Sequence, residues 1–242
     1  MESAEVVREL NTISMRVSKK KNQFQEIKAI IFDFDGTLAI LNIDFSFMRD
    51  RIFDLMRHYS VREEMIREHY LLEIIDEVYQ VLNEKNSYGA EAFYQESHQI
   101  LHEVEMRAAE KGNLIPGTKA TLENIREKEV KVGIITRNCE EAVRKVFPDI
   151  NHFCDVFVPR NSVKKVKPHP DNLTHALDLL KISGEDSVMI GDHIIDIQAG
   201  KKVGMKTIGV LTGRTKRDEF EMAGADYILR EASEICALLE EQ

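Results

Sequence analysis

The chain has 242 residues, a formal net charge of −9 and three scattered cysteines, Cys139, Cys154 and Cys236. A chain of this length can bury a substantial core without covalent or metal cross-links. Neither a disulfide framework nor a structural zinc site is therefore expected, and the expected location is the reducing cytoplasm. The acidic balance argues against non-specific nucleic-acid binding, which needs an excess of Lys and Arg along one face, and no apolar run predicts a membrane span.

The first predicted element is an N-terminal helical extension. Apolar residues recur at helical spacing from Val6 to Val17, which predicts a helical extension over residues 1–23. The segment from Ile27 to Asp33 is short and aliphatic, as expected for a strand covered on both faces. A buried strand therefore follows the extension.

The next part of the chain changes character. Residues 44–111 contain three runs with apolar residues at three-and-four spacing and no strand pattern between them. This predicts a small all-helical cap domain over 43–111. His98 and His102 lie four apart on one of its predicted helices, but no third ligand is apparent in the sequence, so they are predicted to face solvent.

After Gly117 the pattern alternates between strands and helices. The predicted helices and strands are, in chain order, a helix near 118–128, strand 130–136, helix 140–147, strand 155–158, helix 170–180, strand 187–192, helix 194–203, strand 206–211, helix 216–223, and a last strand and helix from Tyr227. Such alternation predicts an α/β fold: a Rossmann-like parallel sheet with helices on both faces. Residues 24–42 and 112–242 would form this core domain around the inserted cap.

Polar residues stand where the predicted strands end. In parallel sheets, ligands bind beyond the carboxyl ends of the strands, near the point where the strand order reverses. The residues at these positions are Asp33 and Asp35, Thr136, Asp192 and Asp196, with Lys167 before a helix start. At 4 Å a like-charge pair costs about 4 kcal/mol at an effective dielectric near 20, so four carboxylates need a cation. Oxygen ligands predict Mg²⁺, and Lys167 adds a second positive charge.

The spacing of the first two aspartates has a chemical use. On an extended chain, Asp33 and Asp35 face the same side, so one carboxylate can attack while the other moves a proton. Gly36 allows a sharp turn after the strand, which is expected to leave backbone N–H groups free to meet an anion. Thr37 is predicted to support this turn or to contact phosphate.

Four signatures in the sequence carry a resemblance to a known family. They are DFDGT at 33–37, ITRN at 135–138, KPHP at 167–170 and GDHIID at 191–196. Together they resemble the haloacid dehalogenase superfamily, specifically its phosphoglycolate phosphatase-like members with a helical cap inserted after the first strand. The resemblance covers nearly all of residues 27–242.

The resemblance assigns roles to the carboxylates. It implies that Asp33 is the nucleophile that forms an aspartyl-phosphate, and that Asp35 protonates the leaving oxygen and then activates water. Mg²⁺ would be held by Asp33, by the backbone carbonyl of Asp35 and by Asp192. Asp196 would orient metal-bound water or Lys167.

The resemblance also assigns the phosphate contacts. Thr136 and Lys167 would bind the transferring phosphoryl group, and Arg137 beside Thr136 is included as a phosphate-binding candidate. Arg137 and His193 stand where the family more often has smaller polar residues. We expect Asn138 and His193 to be candidate substrate contacts.

The function implied is a Mg²⁺-dependent phosphoric monoester hydrolase acting on a small phosphorylated metabolite of the phosphoglycolate kind, as a monomer or homodimer. Asp35 disfavours halide chemistry, because the family's dehalogenases lack this second aspartate. A phosphomutase of the β-phosphoglucomutase type is the alternative, since the same core serves both reactions. A third interpretation is a binding or regulatory module that keeps the fold without activity.

Overall fold

The computed structural model describes residues 26–84 and 87–240, so the predicted N-terminal helix lies outside the described residues. By its internal contacts the chain forms two compact units. The described parts of the sheet unit are 26–40, 114–137 and 147–240, and those of the helical unit are 41–84, 87–113 and 138–146. The helical unit therefore contains the predicted cap and, in addition, a segment from between two sheet strands. The predicted domain boundaries themselves stay predictions.

Apart from one short helix at 150–153, which the sequence did not predict, the α-helices of the described residues follow the predicted order. They are α1 (Phe45–His58), α2 (Leu71–Asn83), α3 (Ser87–Ala109), α4 (Thr118–Glu127), α5 (Glu140–Val146), α6 (Ile150–Phe153), α7 (Asp171–Leu180), α8 (Ile194–Lys202), α9 (Arg217–Ala223) and α10 (Ile235–Glu240). Among the described helices, none combines the length and apolarity that a bilayer crossing requires.

Six strands form one parallel sheet in the sheet unit. The strands within the described residues are β1 (Ala29–Phe32), β2 (Ala39–Ile40), β3 (Asn113–Leu114), β4 (Lys131–Ile135), β5 (Val156–Val158), β6 (Ser187–Gly191), β7 (Lys206–Val210) and β8 (Tyr227–Leu229). The sheet order is β5-β4-β1-β6-β7-β8, and every pairing in it is parallel. The predicted α/β class with a parallel sheet is confirmed.

Strand β1 is covered on both faces. Ile30, Ile31 and Phe32 are completely buried, and successive side chains of a strand point to opposite faces. On one face Ile31 packs in a cluster with Leu173 of α7 and Ala199 of α8. Each fully buried side chain of this size contributes roughly 1.5–3 kcal/mol, so β1 is a rigid base for the residues that follow it.

One predicted helical run is interrupted in the structure. The stretch 62–82 has continuous helical spacing, but Ile66 is extended, with φ −104° and ψ 132°, and α2 begins only at Leu71. The backbone N–H groups of Arg67 and Glu68 donate to Oε2 of Glu77, at 2.8 and 3.0 Å. This side-chain acceptor replaces the helical carbonyls, a long-range contact that periodicity cannot reveal.

Asp155 links the start of β4 to β5 through its carboxylate. It accepts from the Val132 N–H and from Nζ of Lys131, each at 2.9 Å. Although partial burial favours its neutral form, these contacts hold the pKa of Asp155 below its ordinary value of 3.8. A depressed carboxyl pKa stabilises the fold above the ordinary value, and the stabilisation is lost as the pH falls through the folded-state pKa.

Replacing Asp155 with Asn is therefore expected to lower the free energy of unfolding by about 1 kcal/mol at pH 7. The deficit should shrink below pH 4, roughly the ordinary carboxyl value. Urea unfolding at pH 7 and pH 3 measures it, with the exposed Asp178→Asn as control. A deficit that is equal at both pH values would show that the charge is not responsible.

Candidate functional site

The site lies in the sheet unit, at the carboxyl ends of its central strands. The last residue of β1, Phe32, is level with Ile134 of β4 and with Ile190 of β6. The strand-end residues of these three adjacent strands are Asp33, Thr136 and Asp192. The sheet order places β4 on one side of β1 and β6 on the other. The strand order therefore reverses at β1.

A buried ammonium group lies between two of the predicted carboxylates. Nζ of Lys167 is 2.5 Å from Oδ1 of Asp33 and 2.5 Å from Oδ1 of Asp196. Lys167 is only 1 % exposed. Burial disfavours the ammonium, but the charges of Asp196 and Asp33 outweigh it and raise the pKa of Lys167. The lysine therefore stays charged and fixed.

The carboxylates form a cluster that, when fully ionised, carries more negative charge than one lysine can offset. Oxygen atoms of Asp33, Asp192 and Asp196 all lie within 4.8 Å of one another. Burial, reinforced by the neighbouring carboxylates including Asp35, raises the pKa of Asp33 to about 7 and that of Asp192 to about 9. A divalent cation would let these groups ionise at neutral pH, and the all-oxygen donor set fits Mg²⁺.

Asp196 is already engaged through both of its oxygens. Oδ1 accepts from Lys167, and Oδ2 accepts from the backbone N–H of His193 at 3.0 Å. This leaves Asp33 and Asp192 as the carboxylates with capacity for a cation. Asp196 contacts Lys167, and its role in orienting that lysine, one of the two that the resemblance implied, stays a prediction.

The turn after β1 requires glycine. Gly36 has φ 88°, and a Cβ there would lie 2.4 Å from Oδ2 of Asp192. Two N–H groups of the turn are not free: Gly36 donates to the carbonyl of Ala39 at 2.7 Å, and Thr37 to that of Phe34 at 3.3 Å. That other N–H groups of this turn meet an anion stays a prediction. The hydroxyl of Thr37 is buried and has no hydrogen-bond partner among the described residues. The turn is closed by its own backbone.

Two buried residues that sequence reasoning missed hold the Lys167 segment. Oδ1 of Asn172 accepts from the Lys167 N–H at 3.1 Å, and its Nδ2 donates to the Thr136 carbonyl at 3.5 Å. The Arg137 guanidinium donates to the Lys167 carbonyl, and Arg160 donates to the Arg137 carbonyl at 2.9 Å. Arg137 thus contacts the Lys167 peptide, and its binding of phosphate stays a prediction.

The two predicted substrate contacts have different settings. His193 precedes α8, and its Nδ1 accepts from the Ile195 N–H at 3.3 Å, which caps the helix. Burial lowers the pKa of His193, although the charge of Asp196 opposes this. Asn138 is buried and belongs to the helical unit. Contact of either residue with substrate stays a prediction.

The segment after β7 also shapes the site, and sequence reasoning missed it. The Thr212 hydroxyl donates to the Gly36 carbonyl, and a Cβ on Gly213 would lie 1.9 Å from Oδ2 of Asp192. The signal was available, because β7 is parallel and ends at the same edge as β6. Because Gly213 has no Cβ, the Asp192 carboxylate can occupy this space.

Known proteins are similar to this chain over most of its length. Pyrophosphatase PpaX of Bacillus mycoides is 27 % identical over 216 residues, which cover 88 % of this chain and 97 % of that protein. A haloacid dehalogenase-like hydrolase domain-containing protein of Arabidopsis thaliana is 29 % identical over 227 residues, 90 % of this chain and 86 % of that protein.

The fold and a family model agree with these similarities. A solved haloacid dehalogenase phosphatase structure from Thermococcus onnurineus matches with a TM-score of 0.58 and 23 % identity, covering 89 % of this chain and 99 % of that one. The family model described as haloacid dehalogenase-like hydrolase matches residues 30–210. The chain therefore belongs to the haloacid dehalogenase-like hydrolase family, as its four signatures predicted.

Proposed function

We propose that this enzyme is a Mg²⁺-dependent phosphatase that hydrolyses a small phosphorylated metabolite through an aspartyl-phosphate on Asp33. The observation that carries the proposal is the Lys167 ammonium, buried at 2.5 Å from the Asp33 carboxylate, with Asp192 in the same cluster. A nucleophile held beside fixed positive charge is what phosphoryl transfer needs, because that reaction depends mostly on positioning and charge neutralisation.

The first half-reaction uses the two aspartates that follow β1. An oxygen of the Asp33 carboxylate attacks phosphorus, and the bond from phosphorus to the leaving oxygen breaks. Asp35 in its acid form gives its proton to that leaving oxygen, so the alcohol departs neutral. Lys167 offsets the charge that the phosphoryl oxygens bring to the site, and Thr136 is the predicted second contact to them.

The second half-reaction restores the enzyme. Asp35, now ionised, takes a proton from water as the water oxygen attacks phosphorus, and the bond between phosphorus and the Asp33 oxygen breaks. Inorganic phosphate leaves, and both aspartates return to their starting states. Asp33, Asp192 and the Asp35 carbonyl would hold Mg²⁺, which supplies positive charge against the carboxylates and the phosphoryl oxygens.

The substrate class is tested by phosphate release from a panel. We expect 2-phosphoglycolate, and pyrophosphate because of the similarity to the pyrophosphatase, to be hydrolysed faster than hexose phosphates or nucleoside monophosphates. Removing Mg²⁺ with a chelator should lower the rate by at least about 100-fold, with recovery on readdition. A rate of phosphate release that is unchanged by the chelator would overturn the metal assignment. Isomer formed from a hexose 1-phosphate without phosphate release would favour the mutase.

A further inference from the structure

A second group of metal-ligand side chains lies in the helical unit. His102 is on α3, and Cys139 and Glu141 are at the start of α5. One ligand atom from each of the three lies within 4.8 Å of the other two. His102 is exposed, as predicted from the sequence. The two candidate ligands beside it come from a distant part of the chain, which is why no third ligand was apparent in the sequence.

The thiol at the centre of this group is held in place by packing. Cys139 is 1 % exposed and lies in an apolar cluster with Ala109 and Ala142. Its backbone N–H donates to Oε2 of the buried Glu105 at 2.8 Å. Glu105 stands one turn after His102 on α3, so the same helix face positions the Cys139 backbone and presents the imidazole.

The side chains of Glu141 and His102 are available to bind a metal. Glu140 pairs with Arg144 at 2.6 Å, whereas the side chains of Glu141 and His102 are exposed and, within 26–84 and 87–240, make no hydrogen bond or ion pair. Binding a cation would therefore cost neither of these two groups a partner. Their exposure also leaves a coordination position open to water.

We propose that His102, Cys139 and Glu141 form a zinc-class metal site in the helical unit. A thiolate, a neutral imidazole and a carboxylate suit Zn²⁺ rather than Mg²⁺, and their two negative charges balance the ion. A tetrahedral site with usual Zn bond lengths places its nitrogen, sulfur and oxygen ligands about 3.3 to 3.6 Å apart, so shifts of about 1 Å in the exposed side chains complete it. The ion would pin α3 to the start of α5.

The test uses Co²⁺ as a spectroscopic substitute for Zn²⁺. The reduced full-length protein, with excess Mg²⁺ present to occupy oxygen sites, is titrated with Co²⁺ and then with Zn²⁺. We expect one equivalent of Co²⁺ to give a thiolate-to-cobalt charge-transfer absorption that Zn²⁺ abolishes. Cys139→Ser should remove this band, and Glu141→Gln and His102→Ala should weaken the affinity by at least roughly 10-fold.

Matched variants separate this site from other ligands. Cys236→Ser, at a half-buried thiol, and His98→Ala, one helical turn from His102, should keep the band and the affinity. Glu141→Gln changes an exposed side chain, so it tests the site even if Cys139→Ser fails to fold. A wild-type protein without the band, or a band unchanged in Glu141→Gln and His102→Ala, would overturn the proposal. None of these measurements requires turnover, so they do not depend on the proposed reaction.

Discussion

Replacing Asp33 with Asn is expected to lower phosphate release from p-nitrophenyl phosphate by at least roughly 1,000-fold. An amide cannot form the covalent phosphoryl ester that the mechanism requires, and it gives up the negative charge that faces Lys167. The side chain keeps its shape, so circular dichroism should show an unchanged fold. Acid-quenched wild type, examined by mass spectrometry, should carry phosphate on Asp33, and the variant should carry none.

Asp186→Asn is the matched control. Asp186 precedes β6, at the opposite end of the strand from Asp192, and pairs with Lys28 at 2.8 Å on the surface. This variant should keep the wild-type rate, because the carboxylate that it loses is remote from the cluster. Turnover by Asp33→Asn within 10-fold of the wild type, roughly 1.4 kcal/mol, would rule out nucleophilic catalysis by Asp33.

Replacing Lys167 with Met is expected to cost about 3–5 kcal/mol in the free energy of unfolding, measured by urea denaturation with chelator present. The cause is the two carboxylates, Asp33 and Asp196, that would remain buried without their shared cation. Turnover should fall as well, since the phosphoryl group loses its fixed positive charge.

The origin of that cost can be separated from lost packing. Adding Asp196→Asn to Lys167→Met removes one of the stranded charges, so it should recover part of the loss, although Asp196→Asn alone should destabilise. Lowering the pH should also reduce the deficit of Lys167→Met, because burial raises the pKa of the Asp33 carboxyl and it becomes neutral first. A deficit unaffected by pH and by the second substitution would assign the effect to packing alone.

The centre of the site could be predicted from the sequence because its polar side chains lie at the ends of strands. Asp33, Thr136 and Asp192 follow aliphatic strands, and parallel strands bring their carboxyl ends to one edge. Lys167 lies in a loop, so its contact with Asp33 came from the family resemblance and not from periodicity. The structure shows that contact directly.

Apart from the segment after β7, the remaining residues could not be predicted, because their contacts join distant parts of the chain through single side chains. Asn172 and Arg160 look like ordinary helix and loop residues until their partners at 136, 137 and 167 are known. The interruption at Ile66 depends in the same way on Glu77, ten or so positions later. Hydrophobic spacing reports which face of an element is buried, and it carries no information about such pairings.

The central place of β1 in the sheet bears on how the enzyme is made. Ala29 pairs with Lys131 on one side and Ser187 on the other, so β1 can pair only after partners about 100 and 160 positions later have been synthesised. Such long-range pairing is slow and exposes an aliphatic segment to aggregation in the meantime. Asp33 directly follows β1, so its contact with Lys167 and its place beside Asp192 can form only after those later residues have been synthesised.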